Sequence, residues 1–266
     1  MKSNPVKKAL RDGLPQVGTW LSLGSVVACR FLARTGLPWL TVDMEHTHTD
    51  IQTAAMMFGA IADAGCVPLV RIPANRHDYI KMVLDCGAMG IVAPMVMDAE
   101  EARAIVAATK YPPRGNRSVG GSLHSLNFGA SADEYFRRAD DEVLVVIQAE
   151  HIAAIERADE IYSVPGIDAV FIGPNDLAAS MRAPDGTPPT KEAQEAAYAK
   201  VLQAAKRHGI AAGMHVYSGT DALERIGQGW RFLAVGSELK FLLQGATDLV
   251  AQLNQADTTS AGLARY

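Results

Sequence analysis

The sequence predicts an α/β fold, a single (β/α)8 barrel occupying residues 1–266. Three observations predict it. Short, β-branched apolar runs occur eight times with helical segments between them. The runs are apolar on both faces, as parallel strands covered by helices must be. A chain of 266 residues that is 48% hydrophobic also has the length and apolar content for one such barrel. An open doubly wound sheet is the structural alternative.

An amphipathic helix at Pro5 to Arg11 comes first. The strand-like runs are Gln16 to Leu21, Trp39 to Val42, Val67 to Arg71, Gly90 to Pro94, Val143 to Gln148, Ala169 to Ile172, Ala211 to His215 and Phe232 to Val235. Between and after them, helical spacing marks Val26 to Thr35, Ile51 to Ala64, Arg76 to Cys86, Ala99 to Ala108, Ile152 to Tyr162, Lys191 to His208, Asp221 to Gly227 and Glu238 to Gln255. Several of these helices run into a glycine (Gly36, Gly65, Gly87, Gly209), the expected stop before the next strand. Two irregular insertions, Tyr111 to Ala132 and Arg182 to Thr190, are long enough to act as lids or subunit contacts. No repeat, low-complexity tract or domain boundary is visible.

Composition excludes several function classes. With 25 Lys plus Arg against 29 Asp plus Glu, the net charge of -4 gives no field that would recruit nucleic acid or an acidic membrane. The amino terminus lacks an apolar signal core and no run reaches membrane-spanning length, so a soluble cytoplasmic protein is expected. Cys29, Cys66 and Cys86 are odd in number and lack CxxC spacing, which points to buried thiols in a reducing compartment rather than to disulfides or structural zinc. HExxH, P-loop and GxGxxG-after-strand patterns are absent.

In a barrel of this kind the chemistry sits at the carboxyl ends of the strands. The second run ends in Asp43-Met-Glu45-His46, the third in Arg71, the fifth in Gln148-Ala-Glu150 and the sixth in Gly173-Pro174-Asn175-Asp176. Any one of these alone would be read as an ion pair on the barrel rim. As a set they compose a site. Glu150 and Asp176, at the ends of neighbouring strands, form a hard oxygen-rich pair suited to a divalent cation such as Mg²⁺ or Mn²⁺. Arg71 offers a planar, always-charged fork for an oxyanion or carbonyl oxygen. His46 is the one side chain of the set whose type has an unperturbed pKa near neutrality, which suits a general base. Backbone N–H groups after Gly173 are open to a carboxylate. Together these predict a small 2-oxo acid, chelated through its oxo and carboxylate oxygens and stabilised as an enolate by metal and arginine. A Schiff-base route would need a lysine at a strand end, and the nine lysines fall at the amino terminus or within predicted helices.

The segments Trp39 to His46, Leu84-Asp85-Cys-Gly-Ala, Tyr111-Pro-Pro-Arg-Gly-Asn-Arg117, Gln148-Ala-Glu150 and Phe171-Ile-Gly-Pro-Asn-Asp176-Leu resemble the class II pyruvate aldolases of the HpcH/HpaI family, from about Asn4 to Leu249. The resemblance implies a TIM barrel that cleaves 4-hydroxy-2-oxo acids to pyruvate and an aldehyde. It implies that Glu150 and Asp176 ligate Mg²⁺, Mn²⁺ or Co²⁺, with Gln148 beside a metal-bound water and Asp43 and Glu45 organising the water shell. Arg71 would bind the pyruvyl oxygen. His46 would act as base through a metal-associated water, paired with Asp85 of a neighbouring subunit. The backbone from Gly173 through Pro174 to Asn175 would hold the carboxylate. The resemblance further implies a homo-hexamer, a trimer of dimers, in which the carboxyl-terminal helix (Glu238 to Leu253) is exchanged between subunits.

Two positions depart from the family pattern: His151 stands where threonine is frequent, and His124 where several relatives carry arginine. Each is a tolerated substitution or a change of aldehyde preference. His48 is a loop residue.

The expected function is therefore a divalent-metal-dependent retro-aldolase with a small 2-oxo acid and an aldehyde as its partners. The rivals are an oxaloacetate decarboxylase or CoA-ester lyase using the same enolate site, and a barrel that binds small acids without catalysis.

Overall fold

A computed structural model describes residues 1–257. Eight strands form one closed, wholly parallel barrel in sequence order: β1 (Gln16–Leu21), β2 (Trp39–Asp43), β3 (Val67–Arg71), β4 (Gly90–Ala93), β5 (Leu144–Gln148), β6 (Ala169–Ile172), β7 (Ala211–Val216) and β8 (Phe232–Ser237). β8 returns to pair with β1 through Gln16 and Phe232, Val17 and Leu233, and Gly18 and Ala234. That pairing closes the sheet and removes the open doubly wound alternative.

Twelve α-helices are described: α1 (Pro5–Arg11), α2 (Val26–Leu32), α3 (Ile51–Asp63), α4 (His77–Asp85), α5 (Ala99–Thr109), α6 (Ala132–Glu142), α7 (Ile152–Glu156), α8 (Ala158–Tyr162), α9 (Pro174–Ser180), α10 (Lys191–His208), α11 (Gly219–Gln228) and α12 (Glu238–Asp257). Many begin where a side chain satisfies a first-turn N–H: Asp50 caps α3, Asp98 caps α5, and Thr190 caps α10. Their apolar faces pack on the outward residues of the strands, such as Leu40, Val42, Val70, Ile91 and Ile147, to make the larger of two cores.

The smaller core fills the barrel. Trp39 stacks on Phe232 at 4.5 Å between centroids, and Phe171 meets both Phe232 (5.9 Å) and Trp20 (5.6 Å) edge-on. Gly18 makes this possible, because a Cβ there would overlap the Trp39 ring. The interior is packed solid, so the only polar chemistry it can display lies at its rims.

The amino-terminal rim is sealed by α1. Val6 and Leu10 are buried under the barrel. Asn4 donates to the Met89 and Glu142 carbonyls at 3.0 and 3.1 Å. Lys7 donates to the Val143 carbonyl at 2.7 Å and pairs with Asp168 at 2.9 Å.

Four departures from the sequence reading have physical causes. The segment after the fourth strand is less irregular than expected: a 3-10 turn spans Ser122–Phe128, and α6 follows it. The helix expected over Ile152 to Tyr162 is broken at Arg157, whose φ of -101° and ψ of 16° are not helical. α2 stops at Leu32, capped at Ala33, well short of Gly36. The fifth strand begins at Leu144, because the Val143 N–H still caps α6 by donating to the Ala139 carbonyl. On α12, Leu242, Leu243, Leu249 and Val250 are exposed. No described helix is long and apolar enough to cross a membrane.

Candidate active site

At the opposite rim, where the strands end, lies a cavity of about 310 Å³. Its lining includes Asp43 and His46 after β2, Arg71 ending β3, Gln148 and Glu150 after β5, and Gly173, Pro174, Asn175 and Asp176 after β6. The structure thus gathers at one mouth residues drawn from four strands, as the strand-end reading anticipates.

Arg71 is held from several sides. Its Nε and Nη2 donate to the two Asp43 carboxylate oxygens at 2.9 and 2.6 Å, Glu45 lies 3.3 Å from Nε, and its guanidinium sits 4.7 Å from the centre of the Trp20 ring. The fork that grips Asp43 leaves the other terminal nitrogen to address a ligand. Asp43 also receives the Glu45 backbone N–H at 3.0 Å, which folds the Asp43 to His46 segment back over the strand end. His46 stands at the rim, mostly exposed, with Nε2 3.7 Å from Glu45. Burial raises the Glu45 carboxyl, against the pull of Arg71.

Glu150 is buried. Its Oε1 accepts the Met95 backbone N–H at 2.8 Å and its Oε2 accepts Gln148 Nε2 at 2.8 Å. Met95 adopts a φ of 46°, a left-handed conformation uncommon outside glycine, and so turns its N–H toward the carboxylate. Gly173 is the other half of the arrangement: a Cβ at that position would overlap Glu150 Oε2. Burial pushes the Glu150 carboxyl up to about 7, the Met95 N–H opposing it and the charges of Asp176 and Glu45 adding to it. Gln148 Oε1 is a buried acceptor without a hydrogen-bond donor, whereas Glu45 Oε2 has the 3.3 Å ion pair with Arg71.

These features fit a hard dication better than they fit an empty protein. A carboxyl held up near neutrality beside a second carboxylate, together with an orphaned amide oxygen, makes this corner of the cavity rich in acceptors. Among the described residues no group of three or more His, Cys, Asp or Glu side chains forms a closed cage. Asp43, Glu150 and Asp176 are the carboxylates in the cavity lining.

Asp85 lies elsewhere. It ends α4, is not part of the cavity lining, and accepts a 2.6 Å bond from the buried Arg117, whose Nη2 also reaches the Tyr135 hydroxyl at 2.9 Å. Within one chain it does not meet His46. His124 packs edge-on against Tyr135 at 5.1 Å, near Asp85, and burial lowers its pKa. His151 caps α7, its Nδ1 accepting the Ala153 N–H at 3.2 Å, which accounts for a histidine where a hydroxyl would serve. His48 is exposed.

Several lining residues escape the sequence reading: Trp20 and Phe171 from the barrel interior, Ser22 after β1, and His215, Tyr217, Ser237 and Lys240 from β7, β8 and α12. His215 ends the predicted seventh strand, so its position offers a signal that the strand-end search passed over. Lys240 corrects the lysine argument. It belongs to a helix, as expected, but from the first turn of α12 it reaches the cavity.

The HpcH/HpaI aldolase/citrate lyase family model matches residues 16–254. The chain belongs to this family. A curated family member, the 4-hydroxy-2-oxo-heptane-1,7-dioate aldolase of Klebsiella pneumoniae, is 37% identical over 97% of both chains. The hydroxypyruvate/pyruvate aldolase of Cupriavidus necator is 35% identical over 95% of this chain and 93% of its own. Among solved structures, an HpcH/HpaI aldolase/citrate lyase family protein from Burkholderia cenocepacia superposes with a TM-score of 0.86 at 33% identity, over 95% of this chain and 100% of that one. The expectation of a carbon–carbon lyase of this family is borne out.

Proposed function

We propose that the chain cleaves a 4-hydroxy-2-oxo acid to pyruvate and an aldehyde, with a divalent cation held by Glu150 and Asp176. The observation that carries this reading is the placement of those two carboxylates, Arg71 and His46 around a single cavity. The relatives' names, a heptanedioate aldolase and a hydroxypyruvate/pyruvate aldolase, support the reaction class.

When bound, the cation supplies Lewis acidity toward the substrate's oxo and carboxylate oxygens. The chain's own residues do the rest. Arg71, fixed by Asp43, faces the oxo oxygen and stabilises the negative charge that builds there as the C3–C4 bond breaks. The fixed geometry matters, because a fork already aligned reorganises little during the reaction. His46, through water, removes the proton of the 4-hydroxyl group, whose oxygen becomes the aldehyde oxygen, and a proton returned to C3 of the enolate gives pyruvate. Glu45, with its Oε2 3.3 Å from Arg71 Nε and 3.7 Å from His46 Nε2, ties the two side chains together at the rim. The N–H groups of Asn175 and Asp176, in the first turn of α9, have no acceptor within their own helix and receive the substrate carboxylate. Asp85 enters only if a second copy of the chain brings it to His46. The assembly implied is a hexamer, a trimer of dimers that exchange α12, whose exposed leucines and Val250 such an exchange would cover.

The test is pyruvate release, followed with a coupled dehydrogenase, from a panel of 4-hydroxy-2-oxo acids after chelation and readdition of Mg²⁺, Mn²⁺ or Co²⁺. Turnover should vanish on chelation and return with metal. Glu150→Ala should remain folded and fail to recover. Chelator-sensitive turnover surviving in Glu150→Ala would contradict the ligand assignment.

A further inference from the structure

The segment after β4 contributes no side chain to the cavity lining, yet its backbone holds Glu150. Met95 supplies that N–H from a left-handed conformation, and its side chain is 41% exposed, so burial of the side chain does not account for the conformation. The backbone on either side of it is held by two residues that lie outside the lining. Asn75, between β3 and α4, donates through Nδ2 to the Pro94 carbonyl and to Glu101 Oε1, both at 2.7 Å. Glu101, in the first turn of α5, accepts the Met97 N–H at 2.9 Å on its other oxygen, Oε2. Pro94 and Met97 are thus pinned to one clamp, with Met95 between them.

The clamp has a direction. With Nδ2 between two acceptors the Asn75 amide has one orientation, because the reverse would set Oδ1 against both of them. Its Oδ1 is buried without a donor, so the residue is placed for the bonds it gives. Glu101 is anchored in turn, its backbone N–H donating to the capping Asp98 Oδ1 at 2.8 Å, which sets its carboxylate at the head of α5. The clamp also joins the segment that follows Arg71 to the segment that reaches Glu150.

Resting on the reading of Glu150 as a cation ligand, we infer that Asn75 and Glu101 are positioning residues for the metal: they hold Met95 left-handed and so keep its N–H on Glu150 Oε1. Gln148 holds the other oxygen, and between them the two donors give the carboxylate one orientation. A left-handed methionine persists only while its surroundings impose it. Release of the clamp lets Met95 relax to an ordinary backbone conformation, which turns its N–H away and leaves a buried carboxylate with one donor fewer. A glycine at 95 would carry no such penalty, since both hands of the backbone are open to it. The clamp and the strain are two ends of one device, and substitution can separate them.

Mn²⁺ binding to the full chain, read as free Mn²⁺ by electron paramagnetic resonance with no substrate present, tests this. Asn75→Asp keeps the size of the side chain and exchanges its donor for an acceptor. Its Mn²⁺ dissociation constant should rise about tenfold, the scale of a lost hydrogen-bond partner of a ligating carboxylate. In a Met95→Gly background the same substitution should cost about twofold or less, because the backbone no longer needs to be forced. A general loosening of the segment would do the opposite, since glycine adds freedom and would deepen the defect. Should thermal unfolding show that Asn75→Asp is not folded, Glu101→Gln carries the test in both backgrounds, as it can keep the Met97 bond or the Asn75 bond but not both. Parental Mn²⁺ affinity in folded Asn75→Asp, or a defect undiminished by Met95→Gly, overturns the clamp. Glu150→Ala separates this from the cation site itself: if the unaltered chain binds no Mn²⁺, or Glu150→Ala binds it equally well, the ligand assignment falls and the clamp with it.

Discussion

The two rims of the barrel are built from the same kinds of residue and arranged to opposite ends. At the amino-terminal rim the buried Lys7 has a carboxylate and a carbonyl, Asp168 Oδ2 takes both Lys7 and the Val145 N–H, and Asn4 spans two carbonyls. At the carboxyl-terminal rim Gln148 Oε1 lacks a donor, Met95 is held in a left-handed conformation, and Glu150 is kept from its ordinary ionisation. The first rim closes its polar accounts within the chain and the second leaves them open for a cation and a ligand. Stability and chemistry are thus assigned to opposite ends of one core.

Swapping the consequences of substitution between the rims would break this contrast. The largest effect should be on turnover: Arg71→Lys, which keeps a cation beside the buried Asp43 and loses the planar fork, should lower kcat/KM about 10³-fold, the scale of a lost preorganised donor, with little change in melting temperature. Steady-state kinetics beside thermal unfolding decides it. Lys7→Met should do the reverse. It leaves Asp168 without its partner and should cost on the order of 2–4 kcal/mol of stability, with kcat/KM in the folded protein unchanged. A kinetic defect in Lys7→Met, at a temperature where it is fully folded, would mean that the rims are coupled.

Glu150→Gln sharpens the comparison, because it should improve stability while destroying function. A carboxyl whose folded pKa is raised is most favourable to the fold below its unfolded value, and that advantage is lost as pH rises through about 7. In the presence of chelator the neutral amide should therefore be more stable than the parent by about 1–3 kcal/mol at pH 8, with the gain disappearing near pH 4. Gln148 can turn its amide to offer its orphaned oxygen to the new donor. Denaturant unfolding at the two pH values measures the difference.

The smallest effect belongs to His215. Burial depresses its folded pKa, so its contribution to stability is present above its unfolded pKa and lost as pH falls toward about 4. His215→Asn should flatten the acid limb of the stability curve by about 1 kcal/mol between pH 6.5 and pH 4. An unaltered limb would show that the imidazole is free to protonate in the folded chain.

Much of this organisation is legible in the sequence, and the exceptions are instructive. The strands read clearly because burial on both faces demands apolar, β-branched runs, and Asp43, Arg71, Glu150 and Asp176 read clearly because they break those runs at their ends. α6 does not: its sequence, ADEYFRRADDE, is mostly charged and follows directly on a segment read as an insertion, although Ala132, Tyr135, Phe136 and Ala139 keep the helical i, i+3, i+4, i+7 spacing and Tyr135 anchors it through Arg117 and Phe128. The Met95 N–H that holds Glu150 is a backbone group and leaves no trace in residue type. Lys240 is hidden for another reason: helical periodicity assigns it to α12 and says nothing of the direction in which the first turn faces.

The close approach of the Glu150 carboxylate to Gly173 has a consequence for how freely this position can change. Replacement by the smallest chiral residue, alanine, already puts a methyl group where a carboxylate oxygen must stand. A library randomised at codon 173 and selected for turnover should return glycine almost exclusively, whereas the same library screened for solubility alone should return many residues. A single missing atom thereby separates what the barrel tolerates from what the reaction permits.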